Sequence, residues 1–178
     1  FLFRFADQIR PDAAKMLENL HTKHRLKTVM LTGDNRENAE IVGQALGLSQ
    51  IYANLRPQDK LDQVAKLSKE EGLAMVGDGI NDAPALARAT VGISMGKIGS
   101  GAAVDASDVV LLNDDLALIG WLFNKSHQTL RIVKQNLILA LAIILFATIP
   151  ALLGWIPLWT AVLLHEGGTV LVGLNSLR

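Results

Sequence analysis

One run of apolar residues near the carboxyl end limits what this chain can fold into. Residues 137–156 carry no charged side chain and are almost wholly apolar. A helix needs about 20 such residues to cross a hydrocarbon core about 30 Å thick. The run therefore predicts a transmembrane helix, with Pro150 and Gly154 inside its far end, where a kink or an early exit fits.

A second apolar stretch follows after a short turn and predicts a second span. Trp155 and Trp159 flank this uncharged turn, as aromatic residues do at a membrane interface. Arg131 and Lys134 precede the first span and Arg178 follows the second. Because cytoplasmic ends carry the positive charges, the pattern predicts a multi-pass membrane protein with both outer ends in the cytosol.

The rest of the chain has an ordinary soluble composition. Its 17 basic and 17 acidic residues balance, and no dense basic patch is interleaved with aromatics, so nothing favours nucleic-acid binding. There is no cysteine, which excludes a disulfide framework or a thiolate metal site within these 178 residues. The first five residues lack a charged leader and are typical of a strand, not of a signal peptide.

A ten-residue motif, Met-Val-Gly-Asp-Gly-Ile-Asn-Asp-Ala-Pro, occupies positions 75–84. Apolar residues lead into a glycine-flanked aspartate, and Pro84 suits the first turn of a helix, which predicts strand, tight loop and helix start. Asp78 and Asp82 would then lie at the carboxyl end of the strand and on the next turn. From there both carboxylates can reach one hard cation.

The small residues of this loop point to phosphate chemistry. Gly77 and Gly79 allow backbone to approach a phosphate, and Asn81 completes the loop. The implied chemistry is magnesium-assisted phosphoryl transfer. Glycine, aspartate and asparagine are also ordinary turn formers, so a lone Gly-Asp-Gly would be weak support. The longer string is harder to explain as a turn alone.

Two other segments supply groups of the same kind. An apolar run at 26–31 ends in Thr32, Gly33 and Asp34, which offer a hydroxyl and backbone N–H groups at the start of a helix. Lys60 lies in the first turns of a later helix and can reach a phosphate as a point charge. The alternative for Lys60 is an ordinary solvated helix residue.

Short apolar strands alternate with helices through the first part of the chain. The predicted strands are 1–6, 26–31, 50–53, 73–76, 91–96 and 108–112, and the predicted helices are 11–24, 36–46, 59–70 and 84–89. This order predicts an α/β fold with a parallel sheet whose strand ends gather the motifs. The last two strands are expected at the sheet edge, after a glycine-rich turn reaching Gly101. The predicted domains are residues 1–113, an uninterrupted connecting helix at 114–136, and two transmembrane helices at 137–178.

Together, in this order, the motifs resemble the second half of the phosphorylation domain of P-type ATPases, a branch of the haloacid dehalogenase superfamily. The resemblance covers essentially the whole chain and implies that superfamily's Rossmann-like fold. It implies that Thr32 and Gly33 hold the transferred phosphoryl group, with Asp34 in the same loop. Lys60 would neutralise charge on that group. ATP would be the substrate, bound by a domain outside this chain.

The resemblance also assigns the carboxylates. Asp78 would ligate Mg²⁺ and Asp82 would orient that site, while Asp7 matches an acidic hinge residue although Gln8 replaces a common proline. The family's phosphorylated aspartate lies in an Asp-Lys-Thr-Gly-Thr segment that does not occur here. We therefore expect a C-terminal part of a larger pump, with the rest of that polypeptide and the lipid bilayer as partners.

The second span contains a His-Glu-Gly-Gly-Thr motif whose polar members are His165, Glu166 and Thr169. Ionisable groups near mid-bilayer cost a few kcal/mol, so they need a metal, a proton or another helix as partner. Imidazole plus carboxylate suits zinc and cobalt better than copper(I). The motif resembles the signature of the cobalt/zinc-type subgroup of heavy-metal P-type ATPases, which implies a zinc, cobalt or cadmium cargo. Packing alone is the alternative for His165 and Glu166, and an interhelical hydrogen bond for Thr169.

Three functions fit these motifs. The main hypothesis is an ATP-driven divalent-metal pump working through an aspartyl phosphate, with its phosphorylation domain in the cytosol. The second is a membrane-anchored phosphatase of the same superfamily, although an anchor has no use for His165 and Glu166 inside a span. The third is a non-catalytic sensor that binds magnesium and phosphate without turnover, which the set of Thr32, Lys60 and Asp78 disfavours.

Overall fold

The computed structural model describes residues 9–178 as two compact units that divide between Trp121 and Leu122. The helices are α1 (Pro11–His24), α2 (Arg36–Leu46), α3 (Pro57–Glu70), α4 (Ala83–Leu86), α5 (Gly101–Asp105), α6 (Ala117–Leu152) and α7 (Leu158–Ser176). The strands are β1 (Val29–Leu31), β2 (Gln50–Tyr52), β3 (Ala74–Gly77), β4 (Val91–Met95) and β5 (Val109–Leu111). The predicted strand at 1–6 and the predicted hinge residue Asp7 lie outside the described residues.

Every strand pairing within residues 9–178 is parallel, as the alternation of strands and helices predicts. β1 pairs with β2, and β3, β4 and β5 form a three-stranded sheet in that order. The prediction that β4 is an edge strand is therefore wrong, since it lies between β3 and β5. A Cβ at Gly92 would lie 2.8 Å from the carbonyl oxygen of Leu86, so this glycine lets α4 pack closely on β4.

Two short helices differ from the sequence prediction. The helix expected at 84–89 is α4, only Ala83–Leu86, preceded by one 3-10 turn at Ile80–Asp82. The glycine-rich turn expected up to Gly101 continues into α5, whose start is capped by Ser100 Oγ accepting from the N–H of Ala103 at 3.1 Å. A serine cap before a run of small residues is the local signal for this helix.

β1 is shorter than the predicted 26–31 strand. The N–H of Leu26 still bonds to the carbonyl of Leu20, which belongs to the closing turn of α1, where Arg25 takes the left-handed conformation at φ 53°. The carbonyl of Thr28 accepts from the next segment, and the ladder to β2 begins only at Val29. The helix cap therefore uses the residues that hydrophobicity alone assigned to the strand.

A small apolar core lies between the sheet and its helices. Its buried members come from α3, β3, α4 and α5, and they are Val64, Met75, Ala85, Leu86 and Ala103. Leu31 of β1 is partly buried and packs against them. Because α3, β3 and α4 share this core, their adjoining ends are held at fixed distances. Those ends carry Lys60, Asp78 and Asp82.

The second unit consists of helices. Within residues 9–178, α6 alone is both long enough and apolar enough to cross a membrane. It runs unbroken for 36 residues, with Pro150 inside it, so the predicted connecting helix and first span are one helix. The predicted span to 156 ends at Leu152, and Gly154 turns the chain at φ 72°. α7 is mostly apolar, and His165 and Glu166 are its ionisable residues.

Asp114 ties together the last segments of the first unit. Its side chain accepts from the N–H groups of Lys97 and Ile98, at 3.0 and 3.1 Å, and its carbonyl accepts from Arg10 Nη2 at 2.6 Å. Asp114 is 7% exposed and takes the left-handed conformation at φ 55°. A carboxylate with two backbone donors therefore fixes the loop after β4 to the end of β5.

We expect Asp114→Ala to lower the free energy of unfolding of the first unit by about 2–3 kcal/mol, because the N–H groups of Lys97 and Ile98 lose a charged, buried acceptor. The matched control is Asp105→Ala, which removes an exposed carboxylate from α5. Denaturant unfolding in detergent, followed by circular dichroism, measures both. Equal stability of the two variants would show that the Asp114 hydrogen bonds contribute nothing net.

Candidate active site

An ion pair between Lys60 and Asp82 forms the centre of the candidate site. Lys60 Nζ lies 2.8 Å from Asp82 Oδ1, and the two side chains are 19% and 16% exposed. Lys60 is placed by the start of α3, where the N–H of Arg56 donates to Asp59 Oδ2 at 3.0 Å and Pro57 begins the helix. The alternative of a freely solvated lysine is therefore wrong for Lys60.

Asp82 folds back over the loop that follows β3. A Cβ at Gly77 would lie 3.0 Å from the Asp82 Cβ and 3.2 Å from its Oδ2, so a side chain at position 77 would displace Asp82. The N–H of Gly79 donates to Asp82 Oδ2 at 3.4 Å. Gly77 thus has a structural role beyond the one the sequence suggested, because it makes room for the carboxylate that holds Lys60.

The loop after β1 presents backbone and hydroxyl groups. The N–H of Asp34 donates to Thr32 Oγ1 at 3.1 Å, so that oxygen acts as an acceptor and its own proton stays available for another group. The N–H groups of Leu55 and Asn54 donate to the carbonyls of Thr32 and Asp34, at 3.0 and 2.8 Å. Since residues 54–55 lead directly into α3, this loop is fixed to the helix that carries Lys60.

Gly33 belongs to the same close packing, because a Cβ there would lie 3.3 Å from the carbonyl oxygen of Leu55. Sequence reasoning singled out Thr32 and Lys60 but missed the Asn54–Leu55 turn that connects them. Asn54 takes the left-handed conformation at φ 56°. An asparagine after a strand and just before Arg-Pro was the available signal.

Asp78 is exposed at the carboxyl end of β3. Its backbone carbonyl accepts from the N–H of Ser100 at 2.9 Å, which fixes the loop beneath the side chain. Within residues 9–178 no group of three or more histidines, cysteines or acids is arranged to hold a metal. Mg²⁺ commonly takes one or two carboxylates and completes its shell with water and phosphate, so Asp78 and Asp82 suit it as a donor set. Asn81 is exposed on the same turn.

The second group of candidate residues lies on α7. His165 and Glu166 are exposed, and Thr169 Oγ1 donates to the carbonyl of His165 at 3.1 Å. The Thr169 hydroxyl proton is therefore used inside its own helix, which leaves the oxygen as an acceptor or ligand. Sequence reasoning missed Asn136 on α6, whose only signal was a lone amide at the border of the apolar run.

Residues 1–90, half of the chain, match the family model for haloacid dehalogenase-like hydrolases. The chain belongs to the haloacid dehalogenase-like hydrolase family. This confirms the fold class predicted from the motif order, and the parallel pairing of the strands in the described part of the chain agrees with it.

The relatives that match this chain are heavy-metal-transporting ATPases. A probable cadmium/zinc-transporting ATPase of Arabidopsis thaliana is 47% identical over 99% of the chain and 22% of its own length. A cadmium, zinc and cobalt-transporting ATPase of Bacillus subtilis is 43% identical over 97% of the chain and 25% of its own length. The chain thus spans about a quarter of the length of these relatives, in their C-terminal region.

A solved structure extends the match to both units. The crystal structure of a zinc-transporting PIB-type ATPase in the E2.Pi state is 40% identical, covering 97% of this chain and 28% of that one, with a TM-score of 0.91. The resemblance to heavy-metal P-type ATPases that the motifs carried is confirmed. The roles assigned to individual residues stay predictions.

We expect Lys60→Met to lower the free energy of unfolding by about 1–3 kcal/mol, because it leaves the largely buried Asp82 carboxylate without its partner. Lys66→Met is the matched control, since Lys66 is exposed on the same helix. Thermal and denaturant unfolding of both variants in detergent measure the difference. A loss no larger than that of Lys66→Met would mean that the pair adds nothing to stability.

Proposed function

We propose that this chain is the C-terminal part of an ATP-driven pump for divalent heavy-metal ions that works through an aspartyl-phosphate intermediate on an aspartate outside the chain. The observation that carries the proposal is the combination of two features in one chain. A first unit presents a lysine held by a carboxylate beside an exposed aspartate, and a second unit places His165 and Glu166 inside an apolar helix.

The first unit supplies the groups that phosphoryl transfer needs. The Lys60 ammonium, kept in place by Asp82, is a fixed positive charge for the oxygens of a transferred phosphoryl group. The Thr32 hydroxyl has a proton to donate, and the backbone of Gly33 carries no side chain that would obstruct a phosphate. These groups would stabilise charge that develops in the transition state.

Magnesium and ATP complete this chemistry. Haloacid dehalogenase-like domains of P-type ATPases use Mg²⁺ and ATP in general. In this chain Asp78 would hold the cation, with Asp82 as second carboxylate or, through Lys60, as the residue that orients the site. When bound, Mg²⁺ neutralises phosphate oxygens and aligns them for in-line transfer.

The second unit would carry the cargo. The relatives are named as transporters of cadmium, zinc and cobalt, and a histidine with a carboxylate suits such ions. His165 and Glu166 would be direct ligands and Thr169 a further oxygen donor. α6, with α7 as a second pass, would place these ligands in the bilayer and the first unit in the cytosol with ATP. The matches do not favour the alternative, a membrane-anchored phosphatase.

We expect His165→Ala and Glu166→Ala in the full-length pump to abolish stimulation of ATP hydrolysis by zinc and cobalt, and to lower the number or affinity of bound ions in detergent. The reason is that ATP is hydrolysed productively only when the cargo occupies its site. His127→Ala, which removes an exposed histidine from α6, is the control. Metal-stimulated turnover and metal stoichiometry at the wild-type level in both variants would overturn the transport proposal.

A further inference from the structure

An amide network joins α6 and α7 at one end of the second unit. Asn175 Nδ2 donates to Asn136 Oδ1 at 2.8 Å, and Asn136 Nδ2 donates to Ser176 Oγ at 2.8 Å. The Ser176 hydroxyl in turn donates to the carbonyl of Val172 in its own helix at 2.9 Å. These bonds are directional, so they fix both the height and the rotation of α7 against α6.

A second contact fixes the same two helices nearer the middle of α7. Gly168 is buried, and a Cβ there would lie 2.6 Å from Cδ1 and 2.6 Å from Cγ2 of Ile143. Ile143 therefore packs directly on the backbone of α7. Because Gly168 has no side chain, the two helices can approach closely at this point.

Both contacts belong to one antiparallel register. Asn136 and Ile143 are seven residues apart on α6 (143 − 136 = 7), and Gly168 and Asn175 are seven apart on α7 (175 − 168 = 7). Seven residues make about two helical turns, so the two contacts lie along one seam.

The seam continues toward the metal-binding motif. About one turn beyond the Ile143–Gly168 contact, the register brings His165 of α7 to the level of Ala147 of α6. Ala147 is 5% exposed, so α6 is covered at this level. The height of His165 and Glu166 relative to α6 thus follows from contacts that neither residue makes.

We propose that the Asn136–Asn175 amide bond and the Ile143–Gly168 contact are positioning elements of the transported-metal site. They hold α7 at the one height and rotation at which His165 and Glu166 meet the ligands supplied by the rest of the pump. The apolar contacts of the neighbouring leucines, isoleucines and valines are non-directional, so they would tolerate a shift or a rotation of the helix. A metal site tolerates errors of only a few tenths of an ångström in its ligand distances. This inference rests on the proposed function.

The sharpest experiment is a size exchange at the seam, made in the full-length pump and measured as zinc affinity by equilibrium dialysis in detergent. Gly168→Ala should weaken zinc binding by about 10- to 100-fold, the range for residues that orient metal ligands. Adding Ile143→Ala to Gly168→Ala should restore most of the affinity, because the space for the new methyl group reappears. Gly173→Ala is the control, since a Cβ there meets nothing within 4 Å.

The amide bond is tested by Asn136→Leu, Asn175→Leu and the double variant. If the two side chains act through their shared hydrogen bond, the double variant should bind zinc no more weakly than the worse single variant. The zinc concentration for half-maximal ATPase activity should rise while the maximal rate and magnesium-dependent phosphorylation by inorganic phosphate are retained. A merely structural role would instead reduce the amount of active protein and leave the affinity of the remainder unchanged.

The positioning proposal is overturned if Gly168→Ala binds zinc like wild type, or if Ile143→Ala does not rescue it. His165→Ala separates this failure from failure of the proposed function. If His165→Ala loses zinc while the seam variants keep full affinity, only the positioning role is wrong. If His165→Ala itself binds zinc normally, the metal site is not on α7 and both proposals fail.

Discussion

The rest of the candidate site depends on the ion pair between Lys60 and Asp82. The pair needs α3 to begin at Pro57, so that Lys60 projects from its first turns, and it needs Gly77 to leave the space that Asp82 occupies. The apolar core holds α3, β3 and α4 together beneath it. A charge pair this little exposed survives only with good geometry, and here the packing around it supplies that geometry.

The site motifs could be read from the sequence because each depends on local chemistry. Glycines around Asp78, a proline near Lys60 and a threonine after an apolar run determine strand ends and helix starts within a few residues. Partners distant along the chain could not be read this way. Asp82 pairs with Lys60, which lies 22 residues earlier in the chain, and this pairing depends on tertiary packing.

The errors in the fold have the same origin. β4 lies between β3 and β5, and a strand order of this kind depends on pairings that the hydrophobic pattern of one segment does not contain. α5 is too short for a periodicity signal, and its Ser100 cap was hidden in a glycine-rich stretch. In the second unit, apolarity located the helices, but it did not indicate that Asn136 and Ile143 of α6 would be the partners of Asn175 and Gly168.

We propose that the exposed Asp78 carboxylate holds Mg²⁺ near Lys60, which Asp82 keeps in place. The most direct test is the amount of phosphoenzyme formed from ATP by the full-length protein as the Mg²⁺ concentration is varied. Asp78→Asn should form none at any concentration while remaining folded, and Asp105→Asn should match wild type. Normal phosphoenzyme in Asp78→Asn at low Mg²⁺ would mean that Asp78 does not hold the cation.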